Sequence, residues 1–200
     1  MDIGSQSINE LVGALASKQP TPGGGAVAGL LAALSTSLGQ MVIAYTEGKK
    51  KYAEHETLHK NCIDFLLSAS GEALLLANAD ADAYETLNGL WKLEKSDPER
   101  IEAWDDALSK AIKVPLQTME LSERILTTLQ TLQGRTNAML VSDLVIAGIL
   151  AESAARSARL NVEINLSQMD ECDAKSALQA KTSALLASCI SICKSIEDAC

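Results

Sequence analysis

The chain predicts an all-α fold, a single-domain up-and-down bundle of several helices, on three observations. Hydrophobic residues make up 47% of the 200 residues and aromatics 3%, so the core has to be built from Ala, Leu, Val and Ile. Ala and Leu are strong helix formers, and small side chains let helix axes approach closely. Only four prolines punctuate the chain. The length suffices for one sizeable core. No internal repeat, low-complexity run or linker divides it, so residues 1–200 read as one domain.

Each element follows from its local pattern. Ile8, Leu11, Val12 and Leu15 share one face of an amphipathic helix over Gln6–Ser17. Lys18 to Gly25 is a loop, and Ala26–Thr46 is the next helix. A very long helical stretch runs from Tyr52 to Lys95, with Gly71 its weakest point. Asp97-Pro98 is a start signal, Asp97 as N-cap and Pro98 at the first helical position. That helix is expected to end at Val114, because a proline disfavours α geometry in the residue before it. Pro115 then opens a helix to Gln133, closed by Gly134. Asn137 or Ser142 starts a helix through Leu160, Asn161–Asp170 is a bend or an irregular continuation, and a last helix begins at Asp173.

Composition narrows the function. A net charge of −9 argues against nucleic acid, whereas local positive sites on such a chain suit a small anionic ligand. The cysteines, Cys62, Cys172, Cys189, Cys193 and Cys200, are odd in number and lack a CxxC pair. With no signal peptide before Ile3, reduced thiols and a cytoplasmic location are expected. Cys189 and Cys193, one turn apart, read as packing residues. Ala26–Ala44 approaches the about 20 residues that span a bilayer. Ser35, Thr36, Ser37 and Gln40 in its middle instead favour a central helix of a soluble bundle, with no membrane partner.

Thr21-Pro22-Gly23-Gly24-Gly25 opens a stretch without a charged residue until Glu47, and Gly48-Lys49-Lys50-Lys51-Tyr52 follows it. A glycine triplet before an apolar helix gives close backbone approach and exposed N–H donors at the positive end of a helix dipole. Lysines beyond the far end add fixed positive charge. His55-Glu56-Thr57-Leu58-His59 matches the HExxH zinc motif and holds the only two histidines. The nearest distal carboxylate, Glu72, stands roughly 20 Å from His59 on a straight helix and cannot close a site. The motif therefore reads as a solvated charged turn with no metal. Asp80 shares a stripe with Ala73, Ala77, Tyr84, Leu87 and Trp91, where desolvation raises a carboxylate's pKa. It is either an acid/base residue or a core Asp held by a backbone or lysine partner. Asp143, Ala147, Ala151, Ala154, Ala158, Asn161 and Asn165 share another face. Its alanine track suits helix packing, and equally a groove for a flat ligand.

These blocks carry a resemblance. Pro22-Gly23-Gly24-Gly25-Ala26-Val27-Ala28, Gly48-Lys49-Lys50-Lys51-Tyr52, Asp80-Ala81-Asp82-Ala83-Tyr84, Val114-Pro115-Leu116, Ser142-Asp143-Leu144 and Asn161-Val162-Glu163-Ile164-Asn165-Leu166 occur in this order. Together they resemble the cyclodeaminase/cyclohydrolase family of folate enzymes over nearly the whole chain. His55 and His59 lie outside the family pattern, and Leu93-Glu94-Lys95 stands where the family usually has a Leu-Pro-Lys turn.

The resemblance implies an all-helical homodimer with a tetrahydrofolate cleft beside the glycine run, and no metal or organic cofactor. It implies methenyltetrahydrofolate cyclohydrolase activity, or alternatively formiminotetrahydrofolate cyclodeaminase activity with release of ammonia. A free-standing chain of this length tilts the expectation toward the cyclohydrolase. The carried-over roles are proton transfer by Asp80, with Asp143 a second carboxylate, and Lys49 and Lys50 meeting substrate carboxylates or tuning Asp80. Gly23, Gly24 and Gly25 hold an anionic or carbonyl edge, and Asn161 binds the pterin or orients the one-carbon bridge. Thr21, Tyr52, Tyr84, Ser142 and Asn165 complete the substrate-binding set. A folate-binding module without turnover and a zinc hydrolase are the rivals of other classes.

Overall fold

The computed structural model describes residues 2–198, and Cys200 lies outside them. Six α-helices occur among the described residues: α1 Ile8–Leu15, α2 Gly24–Ala44, α3 Glu56–Trp91, α4 Pro98–Thr131, α5 Val141–Leu166 and α6 Asp173–Glu197. Short 3-10 turns at Ile3–Ser5, Lys50–His55 and Ala138–Leu140 join them. Ser7 and Glu10 close a reciprocal capping box on α1, worth about 1 kcal/mol. Asp97 caps α4, accepting from Glu99 N–H at 2.9 Å, with Pro98 in the first turn.

Successive long helices run antiparallel. Gly29 of α2 faces Ala73 and Ala77 of α3, while Gly39 faces Leu66. Ser35 Oγ donates to the Ala147 carbonyl of α5 at 2.7 Å, and Gly24 faces Asn161. α2 is the central helix, packed on α3 and α5, with α4 and α6 closing the bundle. Small residues allow this packing. A Cβ on Gly29 would meet the Ala73 carbonyl oxygen and the Ala77 Cβ at 2.8 Å each. Ala147, Ala151, Ala154 and Ala158 are all fully buried, so the alanine track of α5 is a packing surface.

Two expected boundaries are corrected. α4 does not stop at Val114 but continues through Pro115 to Thr131. Its apolar stripe (Leu108, Ile112, Leu116, Met119, Ile125, Leu129) is buried on both sides of the proline, and that packing overrides the local preference. α5 likewise runs through Asn161 to Leu166, because Val162 and Leu166 are buried and hold the last turns in place. Gly71 does not interrupt α3.

Cys62, Cys189 and Cys193 are buried and Cys172 is exposed. Burial pushes the Cys189 thiol up to about 12, which leaves it inert as a nucleophile. By length and composition alone, Gly24–Ala44, Lys50–Trp91 and Ala138–Leu166 are apolar enough to cross a membrane. The first of these has 56% of its apolar window buried inside the bundle.

Candidate active site

The glycine triplet forms the first turn of α2. Gly23 is the N-cap residue and offers no side-chain cap. The first N–H to find a helical partner is that of Val27, which donates to the Gly23 carbonyl at 3.1 Å. Gly24, Gly25 and Ala26 therefore present N–H groups at the positive end of a 21-residue helix. α3 passes directly over this turn. A Cβ on Gly25 would overlap all three atoms of the Asp80 carboxyl group, so glycine is what lets the carboxylate reach the helix start. Burial raises the Asp80 pKa from 3.8 to about 6, against a smaller opposite pull from the Ala26 N–H.

A stability consequence follows. Asp80 is ionised in the unfolded chain above pH 3.8 but resists ionisation in the fold until about pH 6. The native state thus binds more protons between these values, and stability is lost as pH rises through about 6. Two pKa units correspond to no more than roughly 3 kcal/mol. Asp80→Asn is expected to melt above wild type at pH 8, with the difference vanishing near pH 4. Paired melting curves check this, and a pH-independent difference contradicts it.

The cleft around Asp80 encloses about 350 Å³, within the range of small-molecule sites. Thr21, Gly23, Gly24, Gly25, Asp80, Tyr84, Asn161 and Asn165 of the expected set line it together. Pro20, Ala83, Trp91, Ala111 and Ile164 also line it. The sequence placed Trp91 on the Asp80 stripe but gave no sign that α4 contributes Ala111. Tyr84 and Trp91 meet edge to face at 6.2 Å, and Trp104 extends the row at 6.5 Å from Trp91. Arg100 lies 4.7 Å over Trp104 and donates to the Leu93 carbonyl at 2.8 Å. That contact braces the Leu93-Glu94-Lys95 turn. Asn161 Nδ2 donates to the Ser157 carbonyl at 3.1 Å and Asn165 Nδ2 to the Ala111 carbonyl at 2.7 Å.

Lys49, Lys50, Tyr52, Ser142 and Asp143 stand at the opposite end of the same bundle. Eighteen residues of α5 separate Asp143 from Asn161, about 27 Å along the axis. Lys49 and Lys50 are exposed beyond the C-terminus of α2, so neither tunes Asp80 within one chain. Tyr52 is buried, and its hydroxyl accepts from the Ala138 N–H at 3.2 Å. Beside it, Thr46 Oγ1 accepts from Asn137 N–H at 2.9 Å, stitching the α2–α3 and α4–α5 turns together.

The HExxH motif is only in part the solvated turn expected, since Glu56 and Thr57 are exposed but His59 is not. His59 is 2% exposed, and its Nε2 lies 2.8 Å from the Arg135 carbonyl, so that nitrogen carries the proton and cannot hold a metal. Arg124 takes both oxygens of Glu72 at 2.8 and 2.7 Å. No group of three or more metal-ligating side chains forms among the described residues.

A larger cavity of about 650 Å³ lies between α4 and the start of α6. Its wall is chiefly Leu108, Ile112, Leu116, Met169 and Leu178, with Asp105, Lys113 and Asp170 at its edge. That wall is chiefly apolar, so the smaller cleft, with Asp80 set against the first turn of α2, is the one equipped for acid–base chemistry.

Comparison with known proteins agrees with this fold. The solved formiminotetrahydrofolate cyclodeaminase from Thermotoga maritima shares the fold, with a TM-score of 0.89 over 98% of this chain and 96% of that one, at 24% identity. Formimidoyltransferase-cyclodeaminase of Rattus norvegicus is 32% identical over 90% of this chain, which spans 34% of that protein's length. Methenyltetrahydrofolate cyclohydrolase of Methylorubrum extorquens is 30% identical over 84% of this chain and 83% of its own. Residues 7–184 match the family described as Formiminotransferase-cyclodeaminase, and the chain belongs to that family of folate enzymes.

Proposed function

We propose that the chain is a methenyltetrahydrofolate cyclohydrolase, hydrolysing 5,10-methenyltetrahydrofolate to 10-formyltetrahydrofolate in the Asp80 cleft without a metal or organic cofactor. The observation that carries this reading is the Asp80 carboxylate held against the open N–H groups of α2, inside a cleft of substrate size. Similarity across 83% of the length of the M. extorquens cyclohydrolase supports that choice within the family.

The chemistry asks for one proton carrier and a rigid frame. Water attacks the amidinium carbon of the bridge while the Asp80 carboxylate takes its proton, giving a neutral adduct. The C–N5 bond then breaks, Asp80 returns the proton to N5, and the hydroxyl proton leaves as the formyl group forms on N10. A carboxyl group titrating near 6 suits both halves, because it is ionised at neutral pH yet reprotonates readily. Tyr84 and Trp91 offer faces for a bicyclic ring, and the glycine N–H groups suit an anionic or carbonyl edge. The same frame serves the cyclodeaminase reaction, in which N10 attacks a formimino carbon and ammonia leaves. Identity of 32% to the rat protein favours that second reading.

Loss of methenyltetrahydrofolate absorbance, corrected for spontaneous hydrolysis, tests the first reading. Ammonia release from 5-formiminotetrahydrofolate tests the second. Silence on both substrates sinks both and leaves a binding module.

The enzyme works as a homodimer that reunites the two ends of the bundle. One side of α2 and α5 supports this. Leu34 and Tyr45 of α2, and Ile146, Leu160 and Ile164 of α5, are exposed, and helical periodicity puts them on the same side of the antiparallel pair. A second copy covering this side with its helices reversed brings its Lys49 and Asp143 end over the first copy's glycine turn. Two-fold symmetry then completes two equal sites. Neither Asp80→Asn nor Lys49→Ala alone should turn over at the wild-type rate. Co-expressed, they form mixed dimers that restore one site in two, about a quarter of wild-type turnover overall. Activity no higher than the better single variant, or a monomer in sedimentation without detergent, overturns the shared site.

A further inference from the structure

Pro115 sits in the interior of α4, where it has no N–H to give to the carbonyl four residues back. That carbonyl belongs to Ala111, which is 7% exposed and lines the cleft. A buried carbonyl without a donor is costly. Here the donor comes from another helix, since Asn165 Nδ2 reaches the Ala111 oxygen at 2.7 Å.

Resting on the folate reading above, we infer that Pro115 is a positioning residue. By withdrawing the helix's own donor it leaves the Ala111 carbonyl to hold the Asn165 amide nitrogen, which presents the Asn165 amide oxygen to the cleft as a fixed acceptor for a pteridine N–H.

The amide's orientation follows from chemistry. A carbonyl can only accept, so the Asn165 atom facing Ala111 must be nitrogen, and the acceptor left for the cleft is the amide oxygen. Turning the amide over would place two oxygens together and orphan the carbonyl. Asn161, one turn earlier on α5, is tied in the same sense, with its nitrogen on the Ser157 carbonyl. Both asparagines line the cleft. The Asn165 acceptor matches a ring edge carrying an N–H donor, while the glycine N–H groups of α2 match an acceptor edge. Selection of a heterocycle with both kinds of edge is thereby written into the walls. The Val114-Pro115-Leu116 block acts through the shape of α4, not by touching substrate.

The test is tetrahydrofolate affinity, measured calorimetrically under anaerobic conditions. The proteins are wild type, Pro115→Ala, Asn165→Ala, the double variant and Asn165→Asp. Asn165→Ala should weaken binding about three- to tenfold, the span of one lost neutral hydrogen bond. Pro115→Ala, which restores a competing backbone N–H, should weaken it about threefold, and the double variant should bind no worse than Asn165→Ala. Asn165→Asp keeps size and acceptor but sets an oxygen against the Ala111 oxygen, and should lose as much as Asn165→Ala. Unchanged affinity in Pro115→Ala, losses that multiply in the double variant, or full affinity in Asn165→Asp would each overturn the inference.

A folate-free readout runs beside it. In selectively labelled protein, one Asn165 side-chain amide proton should exchange slowly in wild type and fast in Pro115→Ala. Equal exchange in the two proteins also overturns the inference. Absence of any tetrahydrofolate binding by wild type sinks the folate reading instead, and the exchange comparison then decides the relay alone. If Pro115→Ala does not fold, the Asn165→Asp affinity decides.

Discussion

Replacing Asp80 by asparagine is expected to slow turnover of 5,10-methenyltetrahydrofolate by about 10²–10⁴-fold, the usual worth of a positioned proton carrier. That range corresponds to roughly 3–5 kcal/mol of barrier. Asparagine has the same shape, so it fits over Gly25 and can still accept from the Ala26 N–H. What it cannot do is take a proton from water and return it. Tetrahydrofolate affinity should therefore stay within a few-fold of wild type, and the melting temperature at neutral pH should hold or rise. Turnover in stopped-flow absorbance, read beside calorimetric affinity, separates these outcomes. Wild-type turnover in this variant would remove Asp80 from the chemistry.

Gly25→Ala should approach the same loss by a different route. Alanine is worth about 1 kcal/mol more than glycine inside a helix, so on propensity alone the substitution strengthens α2. Its methyl group, however, claims the space of the Asp80 carboxyl group. The carboxylate has to swing away from the helix start, and a displacement of about 1 Å at a reacting group costs on the order of 10²-fold. Gly71→Ala of α3 is the control, because its Cβ would meet nothing within 4 Å and it lies away from the cleft. Steady-state rates of the two variants should differ by at least tenfold. Equal rates would mean that the carboxylate does not depend on the glycine for its position.

The parts of the fold visible in the sequence are those set by local chemistry. Asp97-Pro98, the glycine-headed start of α2 and the alanine face of α5 each announce themselves through capping, flexibility or side-chain size. Pro115 does not. Its local preference is to end a helix, and only the buried stripe of α4 overrides it. Where a bend or an irregular continuation was expected at Asn161–Asp170, α5 stays regular to Leu166 for the same reason, since Val162 and Leu166 gain their burial from other helices. In the cleft, Asp80 was legible because a carboxylate on a stripe of small and aromatic residues is a local anomaly. Ala111 was not, because a lone alanine carries no chemical signal. Lys49, Tyr52 and Asp143 show a further limit. The resemblance gathered them into one site, although the helix expected from Tyr52 to Lys95 already put Tyr52 about 40 Å along the axis from Asp80. His59 illustrates the reverse error, with charged neighbours on a helix whose histidine points inward to a backbone carbonyl.

The pH dependence of kcat/KM for 5,10-methenyltetrahydrofolate, in wild type and Asp80→Asn, tests proton transfer by Asp80 most directly. This ratio reports the ionisation of the free enzyme, and Asp80 must be ionised to accept a proton from water. Wild type should lose activity as pH falls through about 6, and the residual rate of Asp80→Asn should show no such limb. An identical limb in both proteins, or a flat wild-type profile across that range, would contradict the role given to Asp80.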